Sequence, residues 1–233
     1  MPKQGSSLNS ATIPVASWAV WDGPAMQAAG VTPDVSFIDP MLRRRLSPLA
    51  RAALHVANAC ASGCEAVRFV YASRHGELGR TIELLQSLAV VEPLSPTTFG
   101  LSVLNASAGL YSIARGDHSP ATAIAAGPET FAAGLLEAYA RASLDNTPPT
   151  LYVYADAPAP PPFGPLADDA PGILAIALLI DPLQPVQQLT AQCTLEENAK
   201  PSPSQASAFL GCLQNGKTAT WAGAQRRWQW SLR

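Results

Sequence analysis

Residues 172–180, GILAIALLI, are apolar without a break. A run of this length falls well short of the roughly 20 residues of a membrane span. It suits a strand buried in a core. TLYVYAD (150–156) and ATAIAAG (121–127) read as further strands, and AVRFVYAS (66–73) is β-branched and aromatic, which also reads as a strand. VASWAVWDG (15–23) alternates bulky residues and reads as a first strand. Between the strands the spacing turns helical. Leu42, Leu46, Leu49, Ala53, Val56 and Cys60 recur on one face of MLRRRLSPLARAALHVANACASG, with Asp39-Pro40 as its start and Gly63 as its stop. Glu77 to Ala89 reads as a helix with Leu78, Ile82, Leu85 and Leu88 inward, and Pro128 to Leu144 as another. Strands and helices therefore alternate along most of the chain. The pattern predicts an α/β fold with a mixed central sheet layered with helices.

The remaining segments are simpler. Residues 145–149, DNTPP, read as a loop, and residues 157–172 are proline-rich and read as an irregular surface loop. In the tail, QQLTAQCTLEE alternates, a polar loop follows, SQASAFLGCLQNG reads as a short helix and RRWQWSLR as an edge strand. The 233 residues suffice for one domain, 1–233, with a real core.

Composition narrows the function. The net charge is −2, which leaves no electrostatic footprint for nucleic acid. Hydrophobic residues make up 48% and charged residues 14%, so a partner is expected to cover part of a lightly charged surface. Four cysteines are too few for a disulfide scaffold in a chain this long. The N-terminal residues carry no secretory signal, and a cytoplasmic protein without a membrane span is expected.

Three clusters carry candidate chemistry. Cys60 and Cys64 stand four apart in CASGC, but a structural zinc wants four ligands and no others stand nearby. They read as packing cysteines, and neither a metal nor a cofactor is expected. Ser73, Arg74, His75, Gly76 and Glu77 form SRHGE at a strand end. A hydrolytic triad needs such groups to converge in space, and no G-x-S-x-G elbow is present. A strand-to-helix turn, with Gly76 supplying backbone freedom and Glu77 near a helix N-terminus, explains the same residues. Arg43 to Arg45 could meet an anionic partner such as a phosphopantetheine-bearing carrier protein, although a solvated face is the default for such a run.

The fourth segment is SVLNASAGLYSIARG (102–116), read as a strand end, a tight turn of small residues and a helix. Together with DPMLRRRLSPLARAALHVA, VYASRHGELGRTIELLQSLA, LSPTTFG and ATAIAAGPETFAAGLLEA it resembles the beta-ketoacyl synthase-like N-terminal domain family, over almost the whole chain. The resemblance implies a thiolase-like fold, the N-terminal half of a ketosynthase. In a ketosynthase, a strand ends at a cysteine that opens a buried helix. Matching Leu110 and Ile113 to the leucine and isoleucine of that pattern puts Ala106 at the cysteine, or Asn105 after a one-residue slip. Neither forms a thioester. The two histidines of the family's C-terminal half have no counterpart, because no histidine follows His118.

The resemblance thus implies a non-catalytic subunit of chain-length-factor type. Its partner would be a catalytic beta-ketoacyl synthase in aryl polyene, polyketide or fatty-acid-like biosynthesis, with an acyl carrier protein reached through the heterodimer. Sheet extension through a strand at Thr98–Leu104 would join the two. Phe99, Leu101, Val103, Leu104 and Leu110 would line the acyl tunnel or the interface. Two other readings are open: a stand-alone acyl- or carrier-binding module, and a serine-dependent hydrolase or transferase using Ser107, or Ser73 with His75.

Overall fold

The structure is a computed structural model that describes residues 7–145, 147–166, 169–196 and 202–233. Asn146 of the loop 145–149, Ala167 and Asp168 of the proline-rich loop, and residues 197–201 of the tail lie outside the described residues. In chain order the elements are β1 (Ser7–Asp22), α1 (Gly23–Ala28), α2 (Pro40–Arg43), α3 (Pro48–Ala61), β2 (Arg68–Ala72), α4 (Leu78–Ala89), α5 (Pro96–Gly100), α6 (Ala106–Arg115), β3 (Ala121–Ile124), a 3-10 turn at Gly127–Glu129, α7 (Thr130–Leu144), β4 (Thr150–Asp156), β5 (Leu174–Ile180), β6 (Gln187–Leu195), α8 (Gln205–Asn215), β7 (Ala219–Ala222) and β8 (Arg226–Leu232).

The strands form one sheet in the order β3-β2-β4-β5-β1-β6-β8-β7. β2 is parallel to β3 and β4, and the other neighbours are antiparallel. Every residue of β4 and β5 is buried; β5 is apolar throughout, and β4 is apolar or aromatic between its terminal Thr150 and Asp156. α3 and α6 cover one face of the sheet, around Leu54, Val56, Phe69, Tyr111 and Leu151. α7 and α8 cover the other, around Phe131, Leu135, Tyr152, Ile176, Phe209 and Trp230. Each fully buried aliphatic or aromatic side chain contributes about 1.5–3 kcal/mol.

Three expectations are corrected. Thr98–Leu104 is not a strand: Ser95 caps α5 through its hydroxyl on the Thr98 N–H, Pro96 fills the first helical turn, and residues 101–105 are turns. The helix expected from Pro40 to Gly63 is two helices, α2 and α3. Asp39 caps the first and Ser47-Pro48 starts the second. RRWQWSLR is a strand, but β8 lies between β6 and β7 and is no edge. The sheet's edges are β3 and β7.

Glycine sets how closely α7 lies on the sheet. A Cβ at Gly134 would stand 2.7 Å from the Ala72 Cβ and 2.7 Å from Cε2 of Tyr152. Glycine inside a helix normally costs about 0.5–1 kcal/mol relative to alanine; here it permits the contact. Gly109 in α6 has no such neighbour. Gly134→Ala is therefore expected to destabilise by about 1–3 kcal/mol through overpacking, and Gly109→Ala to stabilise by about 0.5–1 kcal/mol. Urea denaturation measures both, and equal effects at the two sites would contradict this packing.

Candidate functional site

Asn105 precedes α6 without a side-chain cap, and Ala106 opens the helix half-buried. Ser107 behind it is buried and sits against the Tyr71 hydroxyl. Burial pushes that phenol up from its ordinary value. No strand enters this turn.

The SRHGE turn is a polar knot at the ends of β2 and β4. Ser73 is fully buried, and its hydroxyl donates to Asp156 Oδ1 at 3.1 Å. The same Asp156 carboxylate accepts the backbone N–H groups of Arg74 and His75. Ser73 Oγ accepts the Gly76 N–H, and Gly76 has φ +55, the left-handed conformation that the turn reading expected. Burial pushes the Asp156 carboxyl up from its ordinary value, against the pull of His75 and the donors around it.

His75 looks away from both serines. Its Nε2 lies 2.8 Å from Asp169 Oδ1, and Arg74 stands 3.7 Å from the same oxygen. Asp169 also accepts the N–H groups of Ala159 and Leu166, so it ties the proline-rich loop to the turn. Burial pushes the Asp169 carboxyl up, but the N–H groups of Leu166 and Ala159, with His75, outweigh it and hold it below its ordinary value. Glu77 accepts the Ser47 hydroxyl at 2.6 Å and Arg80 Nε at 3.3 Å. Among the described residues, no hydrogen bond joins Ser73 or Ser107 to a histidine.

A strand, a turn and a buried helix do follow one another at β3, Gly127–Glu129 and α7. The space beside this helix start holds only about 20 Å³, near one water's share. Gly127, Pro128, Thr130, Tyr154, Asp156 and Gln205 line it. Glu129 is held by Trp228 Nε1 at 3.0 Å and by Arg226 at 3.4 Å, both from the chain's own last strand. Neither a cysteine nor a histidine stands in the turn.

The sequence family model described as the beta-ketoacyl synthase N-terminal domain matches residues 18–231. The chain belongs to this family. The solved complex of the ketosynthase ApeO with its chain length factor ApeC, from Xenorhabdus doucetiae, contains a chain similar to it at 25% identity and a TM-score of 0.72. The match covers 98% of this chain and 100% of that one. A chain of the ishigamide ketosynthase/chain length factor is similar at 16% identity and a TM-score of 0.59, over 88% of this chain and 73% of that one. The AntDE:AntF complex, a type II PKS acyl-carrier protein with its ketosynthase bound to the hexaketide, contains a chain similar at 11% identity and a TM-score of 0.57, over 79% of this chain and 69% of that one. These last two likenesses speak for the fold alone, which is thiolase-like. No curated protein matches.

In this beta-ketoacyl synthase-like domain the expected tunnel residues divide. Phe99 and Val103 are exposed, at 61% and 41%. Leu101 and Leu104 are half-buried against the α3 side of the core, and Leu110 lies within that core. Arg44 and Arg45 join Arg80 around an open cleft of about 460 Å³ with Ser95, Thr97, Thr98 and Leu101, and no carboxylate lines it. Cys60 is buried, which pushes its thiol up to about 11 and leaves it inert; burial raises Cys64 as well. Among the described residues, no group of three or more His, Cys, Asp or Glu is placed to hold a metal.

Sequence reasoning did not find Asp156, Asp169 or the Glu129–Trp228 contact. Asp156 closes the strand TLYVYAD, and a carboxylate at the end of a buried strand was the available signal. Asp169 carried none, because its side-chain partner His75 is 94 residues away in sequence.

Asp169 gives a pH test. Its folded pKa is depressed, so its contribution is fully present above the unfolded value of about 3.9 and is lost as pH falls through the folded value. Asp169→Asn is expected to cost about 1–3 kcal/mol at pH 7. The gap to wild type should narrow as pH falls below about 4. Urea titrations at pH 7 and pH 3 decide it, and a gap that does not change with pH would show that charge is not what the contact depends on.

Proposed function

We propose that the chain is a non-catalytic ketosynthase-like subunit of chain-length-factor type. It pairs with a catalytic beta-ketoacyl synthase and helps shape the acyl tunnel of an aryl polyene, polyketide or fatty-acid-like pathway in the cytoplasm. One observation carries this reading. The strand, turn and buried helix that a ketosynthase needs around its nucleophile are met at β3–α7, where the turn holds Gly127, Pro128 and Glu129 and no thiol. The chain's own C-terminal strand holds that turn through Trp228 and Arg226, and the space beside it is water-sized. We therefore assign the lost-nucleophile position to Gly127–Thr130 in preference to Asn105 or Ala106.

A thioester needs a thiolate, and the family's reaction needs histidines, of which this chain has none after His118. The partner brings both. The full-length likeness to a chain from a ketosynthase–chain length factor complex supports the pairing. β3 is an open sheet edge with unpaired backbone groups on its outer side, so it replaces Thr98–Leu104 as the strand through which the partner extends the sheet. Phe99 and Val103 face outward, where they can border a shared tunnel. Each methylene there is worth about 0.8 kcal/mol, so a few side chains can set chain length. The Arg44–Arg45–Arg80 cleft fits the anionic phosphopantetheine arm of an acyl carrier protein.

Co-purified with the ketosynthase encoded beside it, the chain is expected to form a stoichiometric heterodimer that condenses acyl groups, and alone it is expected to condense none. Condensation by the isolated chain would overturn the reading. The serine-dependent alternative has its own check: Ser107→Ala and His75→Ala should leave any acyl-thioester hydrolysis at the wild-type rate, and abolished turnover in either variant would restore that alternative.

A further inference from the structure

The start of α8 lies beside the start of α7. Gln205, the first residue of α8, is 3% exposed, and its side chain borders the small space next to the Gly127–Glu129 turn. Its Oε1 accepts the Ala132 N–H of α7 at 2.8 Å. Its Nε2 is buried and has no hydrogen-bond partner among the described residues. Turning the amide over does not cure this, because Nε2 would then meet the Ala132 N–H, donor against donor. An orphaned buried donor destabilises a fold, so this one points to an acceptor in the space.

The surroundings say which kind of acceptor. Two helices of fifteen and eleven residues, α7 and α8, begin at this space. Each N-terminus carries positive partial charge and N–H groups. Glu129 gives α7 no side-chain cap and is held instead by Trp228 and Arg226. The Ser204 side chain serves one N–H of α8, that of Ser207. Arg74 borders the same space. Such a lining disfavours a cation.

The acceptors nearby are already engaged. Asp156 accepts the Ser73 and Tyr154 hydroxyls and the N–H groups of Arg74 and His75. Burial pushes its carboxyl up, toward the neutral form. Asp169 accepts the N–H groups of Ala159 and Leu166 and lies against His75. The Thr130 hydroxyl accepts the Ala126 N–H and donates to the Gly127 carbonyl. The donors therefore converge on a space of about 20 Å³, which admits a species little larger than a water. A phosphate, or a carboxylate on a longer chain, is too large for it.

We propose that this space binds a small monoanion of halide size, chloride being the physiological one, and that the ion ties α7 to α8 across the Gly127–Glu129 turn. The ion accepts from Gln205 Nε2 and sits at the positive ends of both helices. The site is built from this chain alone, so it stands whether or not the chain pairs with a ketosynthase.

Bromide is the probe, since it takes chloride's place and scatters anomalously. Crystals of the full chain grown with sodium bromide are expected to show an anomalous peak within hydrogen-bond distance of Gln205 Nε2. In solution, exchanging gluconate for chloride at constant ionic strength is expected to raise the thermal midpoint by about 3–6 °C once chloride stands roughly tenfold above its Kd. Gln205→Glu keeps an acceptor for the Ala132 N–H and puts a fixed carboxylate where the ion sits. Its midpoint should not respond to chloride, and its crystals should show no peak. Should that variant fail to fold, the wild-type bromide and chloride experiments decide. No peak at Gln205, with a midpoint indifferent to chloride, assigns the space to water and overturns the proposal. A response that Gln205→Glu retains, or that appears without the peak, places the ion elsewhere and overturns it. A peak without a response marks an adventitious ion only and overturns it as well.

Discussion

Two strands buried on both faces, β4 and β5, dictate the rest of the molecule. Their backbone groups are satisfied only by neighbours in the sheet, and their side chains only by cover on each face. α3 and α6 provide that cover on one face, α7 and α8 on the other. The close seating of α7 at Gly134 follows from the same demand, since the helix must press onto Ala72 and Tyr152 to exclude water. α4 and α5 stand outside this scheme. They bury nothing in the chain's own core, and from Leu84 through α5 the chain carries a single charge, Glu92.

Much of this was legible in the sequence, and the reasons are local. GILAIALLI is apolar without a break and TLYVYAD is apolar or aromatic between Thr150 and Asp156, and both are central strands. The helix expected at Pro128–Leu144 ends where it should and starts two residues later, at Thr130, after a 3-10 turn. Thr98–Leu104 misled because Phe99, Leu101 and Val103 alternate as a strand would. The Ser95-Pro96 start outweighed that alternation, as a capped first turn commits the backbone before side-chain pattern can act. RRWQWSLR showed its period but not its neighbours. The order of strands depends on pairings across the whole chain, and no local pattern encodes it.

The site divides the same way. SRHGE was readable as a turn, and its left-handed glycine is there. What the turn is tied to was not readable, because Asp156 and Asp169 come from 83 and 94 residues away. The absence of a thiol from both the 105–109 turn and the Gly127–Glu129 turn was legible in the sequence. Ala106 satisfied the letter pattern around Leu110 and Ile113. Beyond α6, β3 does run through the Gly127–Glu129 turn into the buried helix α7, and the proposed reading places the position there. Membership of the beta-ketoacyl synthase family makes that difference consequential, because a covalent mechanism depends on which helix start faces the acyl group.

On the proposed reading, a ketosynthase-like domain with neither thiol nor histidine at the Gly127–Glu129 turn contributes binding and shape to the pair. Its open edge at β3 suits a strand, and its arginine cleft, which shares Arg80 of α4 and Thr97 and Thr98 of α5 with the charge-poor helices, suits an anion. The most direct test is intact-protein mass spectrometry after the purified pair is incubated with an acyl-loaded carrier protein. The account predicts that the acyl mass appears on the ketosynthase and never on this chain. An acyl adduct on this chain, formed at a rate matching condensation, would contradict it.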